Sequence, residues 1–261
     1  MIVVKFGGHA MADEKGNFAA AIGAALASGE SVVVVHGGGP QIDKALTRAG
    51  IESRFIGGFR FTTPEAFEIV ERVLVHEVGQ QVATTLRAGS IKAQAISGRE
   101  FPTFVARKKS ALIDGTPVDL GLVGDVVSVD TTAVMALLKN GVVPVVAPIS
   151  ADEAGDGGLN VNADLAAAAL AGALDASVLI IMTDVAGIFR NWPNKDSLIN
   201  AIYVDELESI KSTFTEGMAP KVQSALDAIA HGAQAVRIID GTDPASFAAA
   251  LAGQGGTLVV A

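Results

Sequence analysis

The stretch VVVVHGGGP, residues 32–40, decides how the chain is read. Four valines run into a histidine, three glycines and a proline. Glycine loses more backbone entropy on folding than any other residue, so three in succession need a reason. A parallel strand–loop–helix unit supplies one. Its ligands bind beyond the carboxyl ends of the strands, where loops enter helix N-termini rich in unpaired N–H groups. Glycines let that backbone approach an anion and form a concave nest of N–H donors. The segment KFGGHA, residues 5–10, repeats the pattern after the first strand. A Gly-Gly pair at a strand end can also be a simple tight turn; two such loops in adjacent units favour phosphate binding. Neither loop reads G-x-x-x-x-G-K-[ST] or G-x-G-x-x-G, which disfavours a P-loop NTPase and a dinucleotide-binding dehydrogenase.

Outward from these loops, short β-branched runs alternate with helix-patterned segments. The strand candidates are 2–5, 31–35, 92–96, 142–146, 177–182 and 235–239, and the helix candidates are 16–28, 39–49, 64–87, 131–139, 162–173, 219–231 and 244–252. Near-continuous apolar strands alternating with helices predict an α/β protein with a mainly parallel sheet covered on both faces. RFIGGFRFT (54–62) predicts a hairpin turning at Gly57-Gly58, and FPTFVARKKS and TPVDLGLVGDVVSV predict further strands that leave the sheet to wall a substrate pocket. Residues 151–164 read as loop-rich, with a hinge near residue 175. The expectation is two lobes sharing one sheet.

Composition narrows the class. The 261 residues are 50% hydrophobic and 18% charged, enough for a sizeable core and against disorder. With no cysteine there is no disulfide framework and no thiolate site, as suits a reducing cytoplasm. A net charge of −9 lacks the basic footprint of a nucleic-acid binder. Arg107, Lys108 and Lys109 form the one basic cluster, either a solvated loop or a docking patch. The N-terminus has no signal-peptide pattern. The longest apolar run, residues 165–174, falls short of the roughly 18 residues a membrane span needs. The expectation is a soluble cytoplasmic protein without membrane or nucleic-acid partners.

Three polar features stand out. Lys5 ends the first strand; it either reaches solvent or aims its ammonium at phosphoryl oxygens beside the Gly7 and Gly8 amides. Lys221 follows Pro220 in the first turn of an amphipathic helix, where a cation opposes the helix dipole unless an anion is bound nearby. In LNVNADLAAAAL (159–170), Asn162 is a good N-cap and Asp164 suits the first turn. Beyond capping, Asn160 could donate to a substrate carboxylate, and Asp164 could hold ammonium groups. His9 and His36, flanking the glycine loops, suit hydrogen-bonded structural roles better than metal ligation. Phe6 and Phe59 suit packing.

Taken together, KFGGHAM (5–11), VVHGGGPQID (34–43), GFRFTTPE (58–65), GVVPVVAPI (141–149), LNVNAD (159–164), MTDVAGIF (182–189) and EGMAPKV (216–222) resemble the amino-acid kinase family in order and spacing over nearly the whole chain. The resemblance is strongest to members whose acceptor is N-acetyl-L-glutamate. It implies a three-layer α/β/α sandwich, with residues 1–175 binding the acyl substrate and dimerising and residues 176–261 binding ATP. It implies transfer of the ATP γ-phosphoryl group to a side-chain carboxylate, giving N-acetylglutamyl 5-phosphate in arginine biosynthesis. Lys5 and Lys221 would stabilise the phosphoryl group in flight, with Asp164 positioning both. Gly37, Gly38, Gly39, Arg60, Asn160 and Asn162 would bind the acceptor, Arg60 pairing with its α-carboxylate. Gly7, Gly8, Thr183, Asp184, Gly187, Ile188, Phe189, Gly217 and Met218 would line the nucleotide site. No dedicated metal ligands are implied; Mg2+ would arrive with ATP.

Arginine-inhibited members of the family carry an extra helix before the first strand. Here Met1 and Ile2 lead directly towards Lys5, so the expectation is a homodimer without arginine feedback through such a helix. Sister kinases phosphorylate aspartate, glutamate, carbamate, UMP or isopentenyl phosphate; Arg60 and the two asparagines fit the acetylglutamate pattern best. A kinase acting on aminoadipate or glutamate carried by a small acidic protein is the alternative, with Arg107–Lys109 as its only basic rim. A nucleotide-binding regulatory relative without turnover is a further one, opposed by the retention of Lys5, Asp164 and Lys221 together.

Overall fold

In the computed structural model, residues 1–7, 16–113, 116–214 and 218–261 are described. Eight strands form one sheet in the order Ala201–Tyr203, Thr257–Val260, Ala235–Asp240, Val178–Thr183, Ile2–Phe6, Val32–His36, Val143–Ala147 and Ala93–Ser97. Neighbours run parallel except at the junction of Ala235–Asp240 with Thr257–Val260. Successive strand residues point to opposite faces. Val32 and Val34 therefore enter one core with Phe18, Ile22 and Leu46, while Val33 and Val35 enter a second with Leu170, Leu179 and Leu226. Two cores on either side of one sheet make the three-layer α/β/α sandwich the sequence predicts.

The segments outside the alternation build one end of the molecule. Strands Phe104–Ile113, Thr116–Val129, Ile149–Asp152 and Gly158–Val161 close on themselves into a small barrel. This corrects the reading of 151–164 as loop: Leu159 pairs with Ser150 and Asn160 with Ile149 across an Asp-Gly-rich turn, so much of the stretch is strand. The two strands at the sheet's far edge, Ala201–Tyr203 and Thr257–Val260, are further additions. Two members of the basic cluster have acidic partners, while Arg107 and Lys108 remain exposed. Arg107 pairs with Glu153, and Lys109 lies 2.7 Å from Asp125 and over the Phe59 ring.

The expected helix 64–87 is a helical rod in three parts, Pro64–Glu71, a π-helical turn at Arg72–Val78, and Gly79–Ala88. Thr63 caps it through the Ala66 N–H. The predicted hairpin pairs Phe55 with Arg60 and Ile56 with Phe59, and Gly57 and Gly58 take positive φ at its turn.

Just after that hairpin, the backbone of Thr62 bonds it to the barrel. Thr62 donates from its N–H to Leu120, and its carbonyl accepts from Leu122 at 2.7 Å. Between them Gly121 has φ +72°, and a Cβ there would overlap the Thr62 carbonyl. Gly121→Ala therefore combines left-handed strain with a backbone clash. It should destabilise the fold by at least about 2 kcal/mol in urea unfolding. Gly155→Ala, where an added Cβ meets nothing within 4 Å, should stay within about 0.5 kcal/mol.

Candidate active site

The carboxyl ends of three neighbouring strands converge on a cavity of about 290 Å³. Ile2–Phe6 contributes Lys5 and then Gly7; Val178–Thr183 contributes Thr183 and then Asp184; Thr242 follows Ala235–Asp240. Asp164 enters from the first turn of helix Ala163–Ala173, and Lys221 from the first turn of helix Ala219–Ala230. The two lysines, distant in sequence, share this one space.

Each ammonium faces a carboxylate. Lys5 Nζ is 3.0 Å from Asp164 Oδ1, and Lys221 Nζ is 3.1 Å from Asp184 Oδ1. The Lys5 contact lies off the direction of a hydrogen bond, since Asp164 Oδ1 has no hydrogen-bond partner among the described residues. The carboxylate on Lys221 is thus Asp184, where the sequence reading assigned both lysines to Asp164. Asp184 relieves the conflict between a cation and the helix dipole, and does so from a side chain that is 67% exposed.

A second cavity, about 190 Å³, lies behind the first and is lined by Gly37, Gly38, Gly39, Arg60, Asn160 and Asn162, with Phe55, Phe59 and Leu74 among its apolar walls. Arg60 is buried. It reaches Asp43 Oδ1 at 2.5 Å, donates also to Ser53, and lies 4.6 Å over the Phe55 ring. The guanidinium in turn holds the Asp43 carboxyl below the ordinary carboxylate range. Asn160 donates to Thr62 Oγ1 at 3.3 Å. Asn162 caps its helix, accepting from the Asp164 and Leu165 N–H groups. That cap places Ala163 on the second cavity and Asp164 on the first.

The wall between the cavities is backbone. Gly37 donates to the Phe6 carbonyl at 2.8 Å, and a Cβ on Gly37 would stand 3.7 Å from Gly7 Cα and 3.9 Å from Ala163 Cβ. A Cβ on Gly7 would crowd the Lys5 ammonium at 3.1 Å, and one on Gly38 would strike Leu74 Cδ2 at 2.7 Å. Gly39 has open space around it. The three glycines of the opening stretch therefore answer to different constraints, and steric need covers Gly38 most tightly.

Other expected residues lie elsewhere. Ile188, Phe189 and Met218 are buried in the core, and Gly187 packs against Thr257 and Leu198. The structure does not bring these four to either cavity. Gly8, Gly217 and His9 fall outside the described residues. Ser224 and Thr242 line the first cavity and were not foreseen. Both had a readable signal: Ser224 sits one turn beyond Lys221 on the same helix face, and Thr242 opens the loop after an expected strand.

Comparison with known proteins agrees with this geometry. A model described as "Amino acid kinase family" matches residues 1–240. The chain belongs to the amino acid kinase family. An acetylglutamate kinase of Clavibacter sepedonicus is 49% identical over 95% of this chain and 82% of its own length. One of Acidothermus cellulolyticus is 45% identical over 93% of this chain and 84% of its own. Among solved structures, smu.665 from Streptococcus mutans superposes with a TM-score of 0.79 at 29% identity, covering 99% of this chain and 98% of that one. A Giardia carbamate kinase shares the fold, with a TM-score of 0.70 at 18% identity over 99% and 98% of the two chains.

His36 closes the second strand and is fully buried, its Nδ1 2.9 Å from the Gly37 carbonyl. Burial pushes the imidazole from 6.5 down to about 4, the carbonyl contact opposing only in part. A folded pKa below the unfolded one means the unfolded chain takes up the proton first. Stability is thus held above pH 6.5 and lost as pH falls towards 4, by about 1.4 kcal/mol per pH unit. Urea unfolding between pH 7 and 4.5 should show that slope in the wild type and a much flatter one in His36→Asn.

Proposed function

We propose that the protein transfers the γ-phosphoryl group of ATP to the side-chain carboxylate of N-acetyl-L-glutamate, giving N-acetylglutamyl 5-phosphate and ADP in arginine biosynthesis. The observation that carries this is the pair of cavities bordered by the same stretches of backbone, Gly7 beside Gly37 and Asp164 beside Ala163, one holding two ammonium groups and the other a guanidinium. The acetylglutamate kinase relatives, matched over more than nine-tenths of this chain, support the acceptor. ATP occupies the first cavity with its γ-phosphate towards Gly7. The acceptor occupies the second, its α-carboxylate on Arg60 and its side-chain carboxylate towards Gly37.

The chemistry asks little of the protein beyond placement. The attacking carboxylate is ionised at neutral pH, so no general base is required. Its oxygen forms a bond to the γ-phosphorus while the β–γ bridging oxygen leaves with ADP. Alignment and charge stabilisation do the rest. Lys5 and Lys221 approach from opposite sides, Asp164 orients Lys5, and the glycine N–H groups meet the equatorial oxygens. Asp184 keeps Lys221 in place until phosphate replaces it. Magnesium would arrive on the nucleotide's own phosphates. Bound there, it would neutralise charge on the β- and γ-oxygens.

We place residues 1–175 as the acceptor lobe and 176–261 as the nucleotide lobe of a cytoplasmic homodimer; a light-scattering mass of a single chain, 26.5 kDa, would remove the dimer from this reading. Among the described residues no helix is long and apolar enough to cross a membrane. The pairing of Arg107 and Lys109 with acidic neighbours leaves little basic rim for an acidic carrier protein.

The direct test is acyl phosphate formation from ATP and a panel of N-acylated acidic amino acids, trapped with hydroxylamine. N-acetyl-L-glutamate should be the preferred acceptor; no trapped product with any free acid would overturn the assignment. Lys5→Ala and Lys221→Ala should each lower kcat by at least about 10²–10³, the scale of one lost preorganised donor. Arg60→Lys should mainly raise KM for the acyl amino acid and leave KM for ATP unchanged, because an ammonium cannot reproduce a bidentate fork. The opposite KM pattern would move Arg60 out of the acceptor site.

A further inference from the structure

The proposed reaction leaves His36, a buried ionisable group beside the glycine loop, unused. His36 has no exposure to solvent, stands directly before the glycine triplet, and keeps Nε2 without a hydrogen-bond partner among the described residues. Its other nitrogen, Nδ1, is 2.9 Å from the carbonyl of Gly37. A carbonyl only accepts, so this contact is attractive only if Nδ1 carries the proton. Nε2 is then bare and faces the rod at Gly79, where a Cβ would come within 3.0 Å of it. The imidazole is walled in, and its one directed bond is to the glycine loop.

The consequence follows from peptide geometry. The Gly37–Gly38 bond is trans, so its C=O and N–H point in opposite directions. A histidine that draws the Gly37 carbonyl inwards turns the Gly38 N–H outwards, towards the cavity that Gly37, Gly38 and Gly39 line. Among the described residues no backbone carbonyl accepts that N–H. The peptide has glycine on both sides and would otherwise rotate freely. Leu74 and Val78 hold the Gly38 backbone from the other side, since a Cβ there would lie 2.7 Å and 3.4 Å from them.

We propose that His36 is a positioning residue, which acts through its Nδ1–H bond to the Gly37 carbonyl to hold the Gly38 N–H aimed at the transferring phosphoryl group. The inference rests on the acyl-phosphate reading of the two cavities. It adds a neutral histidine that touches neither substrate yet sets the direction of a main-chain donor.

Two measurements decide it. Nitrogen-15 NMR of the imidazole in the wild-type protein at pH 7.5 needs no turnover. It should show Nδ1 protonated and Nε2 bare; the reverse tautomer would end the proposal whatever the enzyme does. The second is kinetic. His36→Asn places an amide nitrogen near the Nδ1 position and should keep kcat within about threefold of wild type. His36→Leu fills the space without a donor. It should lower kcat at least tenfold, with both KM values within about twofold and a cooperative thermal transition retained. Equal losses in the two variants, or full activity in a folded His36→Leu, would reduce His36 to packing. If the wild type forms no acyl phosphate at all, the functional reading fails and the His36 proposal fails with it, even where the NMR shows the expected tautomer.

Discussion

The site depends on a single backbone contact, the 2.8 Å hydrogen bond from the Gly37 N–H to the Phe6 carbonyl. It extends the parallel pairing of the first two strands by one step, from Phe6 opposite His36 into the loops. At that step Gly7 lines the cavity of the two lysines and Gly37 the cavity of Arg60. Side chains at Gly7 and Gly37 would thicken this wall. With glycine at both positions no Cβ adds to the backbone there, which leaves room for the two reacting atoms of the proposed transfer to meet at the roughly 3–3.5 Å that in-line attack needs.

Charge in the site is arranged around that wall in pairs. Lys5 with Asp164, Lys221 with Asp184 and Arg60 with Asp43 are each cation and carboxylate within hydrogen-bonding distance. Such pairs add little to stability where water reaches them. What they supply is direction: a flexible lysine is held near one position before the nucleotide arrives, so less ordering remains to be done on binding. The Lys221 pair is the loosest, because Asp184 is largely exposed. In the proposed reaction this lysine changes partner, so a weak resting contact suits it. Arg60 is the opposite case, buried and held by Asp43, Ser53 and Phe55 at once.

The sequence was most informative where the controlling interactions are local. Glycine after an apolar strand, an asparagine before an alanine-rich helix and a lysine next to a proline each state their geometry within a few residues. The loops, the cap at Asn162 and both lysine-bearing turns were legible for that reason. Long-range pairing was not. The strand Gly158–Val161 looked like loop because it is held by two other strands, one of them, Thr116–Val129, far away in sequence. The contact of Lys221 with Asp184 was not foreseen; the folded sheet, which puts Val178–Thr183 beside Ile2–Phe6, brings Asp184 to the same cavity. Gly187 to Phe189, which the resemblance assigned to the nucleotide site, are closed into the core by Thr257, whose hydroxyl takes the Ile188 N–H.

A division of labour follows from where the two kinds of residue are mounted. Lys5, Asp164, Thr183 and Lys221 stand on strands and helices of the main sandwich, locked by two cores. Arg60 stands on a two-residue strand of a hairpin whose attachment to the barrel runs through Thr62 and Gly121. Asn160, which also lines the acceptor cavity, belongs to that barrel and reaches Thr62 directly. On the proposed assignment, recognition is built on an excursion, and phosphoryl handling on the sheet. An excursion can change in length, sequence or tilt while the strand register that joins Gly7 to Gly37 stays fixed. On this architecture, exchanging one acceptor for another requires rebuilding the hairpin and its barrel seat and leaves the lysine pair untouched.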